Sequence, residues 1–258
     1  MNWYPQIGAG SVTQFPLSRS RTWRAIRNQL ESGEQIVLPD NASGQIQWRL
    51  SYKDIGDDEA ANLSACFTTA QGQYGAFGFV DPLSNLLAWS EDFTQPDWQL
   101  GLLTSTPGVN DPLGTQRASS ISNGSPGDQQ LMQTVSIPGN YVACFSAWVR
   151  SDTGGTISLG RDGNQTTVAT GSAWRRVYVS GAGAAGAQSS GFSVNLGAGQ
   201  SVQVWGLQVE AQPYPSQYKP SASPMGIYEE TYFGADELTI TSTGVGLSAC
   251  EISLLSRT

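Results

Sequence analysis

Two stretches of the chain set aromatic rings beside guanidinium groups at strand spacing. In residues 141–150, Tyr141, Ala143, Phe145, Ala147 and Val149 fall on one face of an extended segment, and Val142, Cys144, Ser146, Trp148 and Arg150 on the other. In residues 174–180, Val177 and Val179 share a face with Arg175, while Trp174, Arg176 and Tyr178 occupy the opposite one. The small apolar sets read as core, and the Trp–Arg and Arg–Tyr faces as a wet surface. A pyranose stacks its apolar face on such rings, and the fixed fork of donors on arginine suits hydroxyls or a uronic-acid carboxylate. Trp148, Arg150, Trp174, Arg176 and Tyr178 are therefore the candidate carbohydrate-binding residues, provided both strands lie in one sheet, and Trp98 is a further candidate ring. The competing assignment for each ring is core, the commoner fate of a tryptophan in a sandwich. Trp205, alternating with polar residues alongside Leu207 and Val209, is expected there.

Composition excludes much other chemistry. The 258 residues contain no His, which removes His-based acid–base catalysis, Ser-His-Asp chemistry and His metal sites. Glycoside hydrolysis needs two carboxylates across a cleft, yet Asp111, Asp128, Asp152 and Asp162 sit in turn sequences and no pair stands out. No phosphate-loop or dinucleotide-binding glycine pattern is present. A net charge of −8 argues against a broad surface for nucleic acid or anionic lipid. The basic run Arg19, Arg21, Arg24 and Arg27 reads as a solvated face, with a subunit contact to an acidic neighbour as the alternative. Cys66, Cys144 and Cys250 lie far apart, without a CxxC, and read as buried thiols. No apolar run is long enough for membrane insertion, and the first residues lack the basic start and apolar stretch of a signal peptide.

The elements that would position these residues fall into two textures. Residues 45–52 alternate strictly, with Ile46, Trp48, Leu50 and Tyr52 on one face of a half-buried strand. Asp57, Asp58 and Glu59 then form an acidic first turn, followed at helical spacing by Ala60, Leu63, Cys66, Phe67 and Ala70, with Gly72 as the stop. From about residue 87 charge thins out and β-prone runs recur about every ten residues, at 129–135, 141–149, 165–170, 174–180, 191–196 and 201–209, the pattern of a β-sandwich. After residue 222 the first texture returns, in a tail too short for its own core. The fold expected is mostly β: a small, discontinuous α+β host domain, residues 1–86 plus 223–258, carrying a β-sandwich inserted at 87–222.

Residues of the host resemble a known family. Gln14-Phe15-Pro16, Arg24 to Gly33, the Trp48-Arg49-Leu50-Ser51-Tyr52 strand, Cys66-Phe67, the Phe77-Gly78-Phe79-Val80-Asp81-Pro82 exit and the closing segment from Asp236 to Ser256 resemble phage tail proteins and phage-derived tail-like particles. The ends of the insert, Asn85 to Phe93 with Trp98, and Val204 to Glu210 with Ser216-Gln217-Tyr218, look like jelly-roll carbohydrate-binding modules. The resemblance implies a tail or tail-like particle component, non-catalytic, with a glycan-adhesion module. The partners it implies are a cell-surface polysaccharide, other tail proteins and further copies of the chain, with no nucleic acid. It implies a protein made in the bacterial cytoplasm and carried on a virion or particle. No cofactor is expected beyond a structural calcium, which such jelly rolls commonly hold where the first and last strands meet. Glu91, Asp92 and Glu210 are the candidate ligands. The rival readings are a polysaccharide-degrading hydrolase or lyase, and a purely structural virion subunit without a ligand.

Overall fold

The computed structural model describes residues 2–257, apart from the side chain of Asn41. The end residues 1 and 258 of the expected host domain lie outside that range. The chain divides into two compact units, one of Met1–Gly8, Val12–Phe79 and Tyr228–Thr258, the other of Ala9–Ser11 and Val80–Ile227.

In chain order the first unit opens with β1 (Ser18–Thr22), β2 (Ala25–Gln29), β3 (Gln35–Pro39), β4 (Gln45–Gly56), α1 (Asp57–Ala70) and β5 (Phe77–Val80). The second unit supplies β6 (Leu103–Val109), β7 (Ala118–Asn123), β8 (Gln129–Val135), β9 (Val142–Arg150), β10 (Gly155–Arg161), β11 (Asn164–Thr170), β12 (Arg175–Ala182), β13 (Ser190–Leu196) and β14 (Ser201–Glu210). The chain then returns with β15 (Ile227–Phe233), β16 (Ile240–Gly244) and β17 (Leu247–Arg257).

The first unit is built on a sheet in the order β1-β4-β17-β15-β5, with β16 added to β17; the β1–β4, β4–β17, β17–β15 and β17–β16 pairs are antiparallel. The alternation of residues 45–52 does produce β4: Ile46, Trp48, Leu50 and Tyr52 are all buried, and the strand runs on to bury Ile55. α1 packs on β4 and β17 through Ala60, Leu63, Cys66 and Ala70. Its first turn is acidic, and the Glu59 carboxylate accepts from the Gly56 N–H at 2.7 Å, answering a donor the helix leaves unpaired. The helix stops because Gln71 and Gly72 both turn left-handed, at φ 54° and 63°. An aromatic cluster fills the space between helix and sheet. Phe77 and Phe233 lie 4.9 Å apart, as do Trp48 and Phe79, and the Tyr4 and Tyr52 hydroxyls meet at 2.8 Å.

The second unit is a two-sheet antiparallel jelly-roll sandwich. One sheet runs β11-β10-β13-β8 and the other β12-β9-β14-β7-β6. Apart from the β6–β7 and β10–β11 hairpins, successive strands switch sheets, which is how a jelly roll covers both inner faces. Phe145 of β9 meets Phe192 of β13 across the gap, at 5.9 Å. Leu131, Ile157, Leu159, Val194 and Leu196 line one inner face, and Ala143, Ala147, Val149, Val177, Val179, Val202 and Val204 the other. Burial of these side chains contributes about 1.5–3 kcal/mol for each large one. The two ends of this unit lie together, since the Asp81 N–H donates to the Gly226 carbonyl at 2.7 Å.

Trp205 of β14 is buried as expected, at 5% exposed, but on the outer side of its sheet under Tyr218. Trp205 does not share the core face with Leu207 and Val209. Gly206, at φ 66°, opens a bulge and the register with β9 shifts between Trp205 and Gln208. Val204 and Val209 point into the core on either side of the bulge, and Trp205 points outward, opposite Trp148.

Candidate functional site

The outer face of the four-stranded sheet forms a groove of about 690 Å³. The strand pairings set the residues of this outer face in rows, of which Ser158, Asn195, Gln130 and Gln165 line the groove. Thr167, Ser158, Asn195 and Gln130 lie side by side across β11, β10, β13 and β8, and Gln165, Gly160, Ser193 and Met132 form the adjoining row. Because β-strands alternate, the same strands that bury Ile157, Leu159, Val194 and Leu131 inward must present these polar residues outward. Gln99 extends the sheet beyond β8, exchanging both backbone hydrogen bonds with Met132 at 2.8 and 2.9 Å. Asp128, Gln129 and Gln200 complete the rim.

Part of this set is locked and part is open. The Ser158 and Thr167 hydroxyls meet at 2.6 Å, the Asn195 amide donates to the Ser158 carbonyl at 3.2 Å, and the Gln129 side chain accepts from the Leu102 N–H at 3.1 Å. The side chains of Gln99, Thr156 and Gln165 make no hydrogen bond among the described residues, and they face the groove. Beside the groove Gly160 packs closely on its neighbour: a Cβ there would meet the Ser193 hydroxyl oxygen at 2.6 Å. Asp128 is the one charged side chain among the lining residues. The groove is therefore lined mainly by amides and hydroxyls, each able to donate and accept. Sequence reasoning missed it because uncharged polar residues carry no chemical signature. The available signal was the alternation of Gln, Ser, Thr and Asn on the solvent side of the predicted strands.

The ring-and-arginine candidates lie on the other sheet. β9 and β12 are neighbours, with Trp148 opposite Arg176 and Ser146 opposite Tyr178, so Trp148, Arg150, Arg176 and Tyr178 do share one outer face. Much of that face is covered by the chain itself. Residues 212–221 cross it as a strap. Glu210 is fully buried beneath, holding the Lys219 ammonium at 2.9 Å and the Ser216 N–H at 2.9 Å. The Gln208 side chain accepts from the Lys219 N–H at 2.7 Å. Arg176, expected on a wet face, donates to the Ser216 carbonyl and, at 3.0 Å, to the Ser146 hydroxyl; its desolvation depresses its pKa. Tyr218 packs edge-on to Trp205 at 4.8 Å, and its hydroxyl reaches Ser90 at 2.8 Å and Glu91 at 3.1 Å. Burial pushes the Tyr218 phenol well up.

The uncovered remainder is small. Trp148 is half-buried against Trp205 at 6.4 Å. Trp174 is half-buried with the Arg150 guanidinium 5.0 Å from its ring centre, and Arg150 also donates to Gln203. Tyr178 is 42% exposed. Trp98 is not a surface ring: it is 5% exposed, packs edge-on to Phe93 at 5.1 Å and donates to the Trp89 carbonyl at 3.0 Å.

The candidate calcium ligands are not brought together. Glu91 faces Arg117 at 3.4 Å and Tyr218. Asp92 caps its own turn, accepting from the Thr94 N–H at 3.0 Å and the Gln95 amide at 2.8 Å, which holds its carboxyl below the ordinary range. Glu210 is answered by Lys219. Among the described residues no three His, Cys, Asp or Glu side chains gather as a metal site requires. A cation needing six or more oxygen ligands does not fit this set as it stands.

No protein-family model matches this sequence, and neither does any curated protein. Solved structures do overlap it in part. The CBM22-1 xylan-binding domain of Paenibacillus barcinonensis Xyn10C aligns over 52% of this chain and 99% of its own length, at 12% identity and a TM-score of 0.41. TmCBM61, solved in complex with β-1,4-galactotriose, aligns over 49% and 97%, at 16% identity and a TM-score of 0.35. The enzymatically active domain of bacteriophage CBA120 tailspike protein 4 aligns over 51% of this chain at 14% identity and a TM-score of 0.37, with only 21% of that domain's length covered.

Proposed function

We propose that the sandwich is a glycan-adhesion module that takes a neutral saccharide in the amide and hydroxyl groove. Its host would be a phage-tail or tail-like particle subunit, made in the bacterial cytoplasm and carried on the particle. The observation that carries the reading is the groove lined by Gln99, Gln130, Thr156, Ser158, Gln165 and Asn195, whose side chains are uncharged donors and acceptors. Sugar hydroxyls are likewise donors and acceptors together, so such an array pairs with them without leaving a buried charge unanswered. The tail role is supported by the host residues that resemble tail proteins, from Gln14 to Pro82 and from Asp236 to Ser256.

Binding without bond cleavage is the mechanism proposed. The groove lining holds one carboxylate, Asp128, where glycoside hydrolysis uses two. Titration calorimetry of the full chain against neutral and uronic-acid oligosaccharides tests the reading. Each hydrogen bond contributes about 1 kcal/mol, so Asn195→Ala and Gln165→Ala should each weaken binding of a neutral oligosaccharide about five-fold. A preference for uronic acids, or affinity indifferent to both substitutions, would move the site elsewhere. Binding of nothing at all would favour the purely structural subunit, and release of shortened products would favour the enzyme.

A further inference from the structure

The loop from β11 to β12 crosses from one sheet of the sandwich to the other and borders a second cavity, of about 540 Å³. Trp174 and Arg175 line it, with Ala169, Thr170 and Ser172. The Ser151 N–H ties the loop down by donating to the Gly171 carbonyl at 2.8 Å. The Arg150 guanidinium stands 5.0 Å from the centre of the Trp174 ring and donates to Gln203, whose amide donates to Asp152 at 3.1 Å. Arg150 and Asp152 thus offset each other through Gln203. Arg175 is the charge left over: it is exposed, and its side chain makes no ion pair or hydrogen bond among the described residues. The Trp174 indole N–H and the Ser172 hydroxyl are also without a hydrogen bond among the described residues.

This cavity adjoins the amide and hydroxyl groove. Thr156 lines the groove and is paired with Ala169, which lines the second cavity. Both belong to the outer face, since they alternate with the inward Ile157 and its partner Val168. The charges stand at opposite edges of the four-stranded sheet. Asp128 immediately precedes β8, at one edge, and Arg175 follows the loop after β11, at the other. Three strand spacings, about 14 Å, separate those edge strands. An anionic sugar is therefore repelled at the Asp128 end and attracted at the Arg175 end. We infer that the face takes a directional heteroglycan, with neutral units over the groove and one uronic-acid unit on Trp174 and Arg175. There the indole stacks on the pyranose, and the planar guanidinium fork holds the carboxylate. This inference rests on the reading of the groove as the saccharide site and extends it by one subsite.

Two titrations of the full chain, followed by nuclear magnetic resonance, separate this end from the groove. D-glucuronate alone should shift Trp174 and Arg175, with an affinity that falls as salt rises. D-glucose, which lacks the carboxylate, should bind there about five-fold more weakly. Arg175→Gln should weaken glucuronate about five-fold and Trp174→Ala about ten-fold, whereas Asn195→Ala should leave it unchanged. Arg175→Gln should also keep the wild-type melting temperature, since that side chain holds nothing in place. The second titration compares a neutral tetrasaccharide with the same tetrasaccharide oxidised to the uronic acid at one terminal unit. The oxidised form should bind about five-fold more tightly to the wild type, and no more tightly to Arg175→Gln. Glucuronate that shifts neither Trp174 nor Arg175, or that binds Arg175→Gln as well as wild type, would overturn the anionic end whatever the groove does. Glucuronate bound at Trp174 while neither tetrasaccharide binds would overturn the groove, and with it the heteroglycan. Two tetrasaccharides bound with equal affinity would overturn the joining of the two cavities into one site.

Discussion

Glu210 is a tightly held charge of the sandwich. It is fully buried, and the Lys219 ammonium and the Ser216 backbone are its answer. Removing one partner from a buried pair leaves the other charge uncompensated, at a cost of about 3–5 kcal/mol. Water still reaches Lys219, so Lys219→Met should cost less, about 2–4 kcal/mol by urea unfolding, and should free the strap before the rest of the sandwich. Trp148 rests on Trp205 rather than standing free, and Trp148→Ala should cost about 2 kcal/mol, below the range for a fully buried tryptophan. The three thiols make a further residue-level prediction. All are buried, which pushes Cys66 and Cys250 up to about 11 and Cys144 to about 12. The native protein should resist a thiol reagent at pH 8 and react fully once unfolded. Because the folded thiols hold their protons above the ordinary pKa of 9.0, their contribution to stability is fully present below pH 9 and is lost as pH rises towards 12. Melting temperature should therefore fall across that window, and a flat profile there would contradict the burial.

Periodicity made the long elements readable, and it failed where glycine or small polar residues dilute it. β4 and α1 stand out because Ile46, Trp48, Leu50, Tyr52 and then Ala60, Leu63, Cys66 keep strict spacing. β7 is ASSISN and β10 is GTISLGR, and neither has a run of branched or aromatic residues to announce a strand. Their partners hold them extended, β14 for β7 and β13 for β10. The single-residue bulge at Gly206 reversed the facing of Trp205, which no alternation rule can foresee. The groove was illegible for a different reason. Its rows draw one residue each from four strands that only the tertiary fold aligns. The pairing of Asp81 with Gly226 gives the element-scale prediction. Units whose ends meet tolerate excision, so residues 80–227 expressed alone should melt cooperatively. An excised segment with no cooperative transition would tie its fold to the rest of the chain.

At the scale of the molecule, charge is distributed against function in a consistent way. Residues 87–222 hold six basic and eight acidic side chains, leaving −2 of the total −8, and the groove within them carries a single carboxylate. An array of neutral amides should bind with an affinity that barely changes with salt, whereas capture of an acidic glycan by arginines would weaken steeply as salt rises. The central claim is that a neutral saccharide occupies the outer face of the four-stranded sheet. The most direct test is a nuclear magnetic resonance titration of the labelled full chain with a neutral oligosaccharide. The account predicts shifts concentrated at Gln130, Ser158, Gln165 and Asn195, saturable and unchanged in high salt. Shifts concentrated at Trp148, Trp174 and Tyr178 instead, with the groove silent, would contradict it.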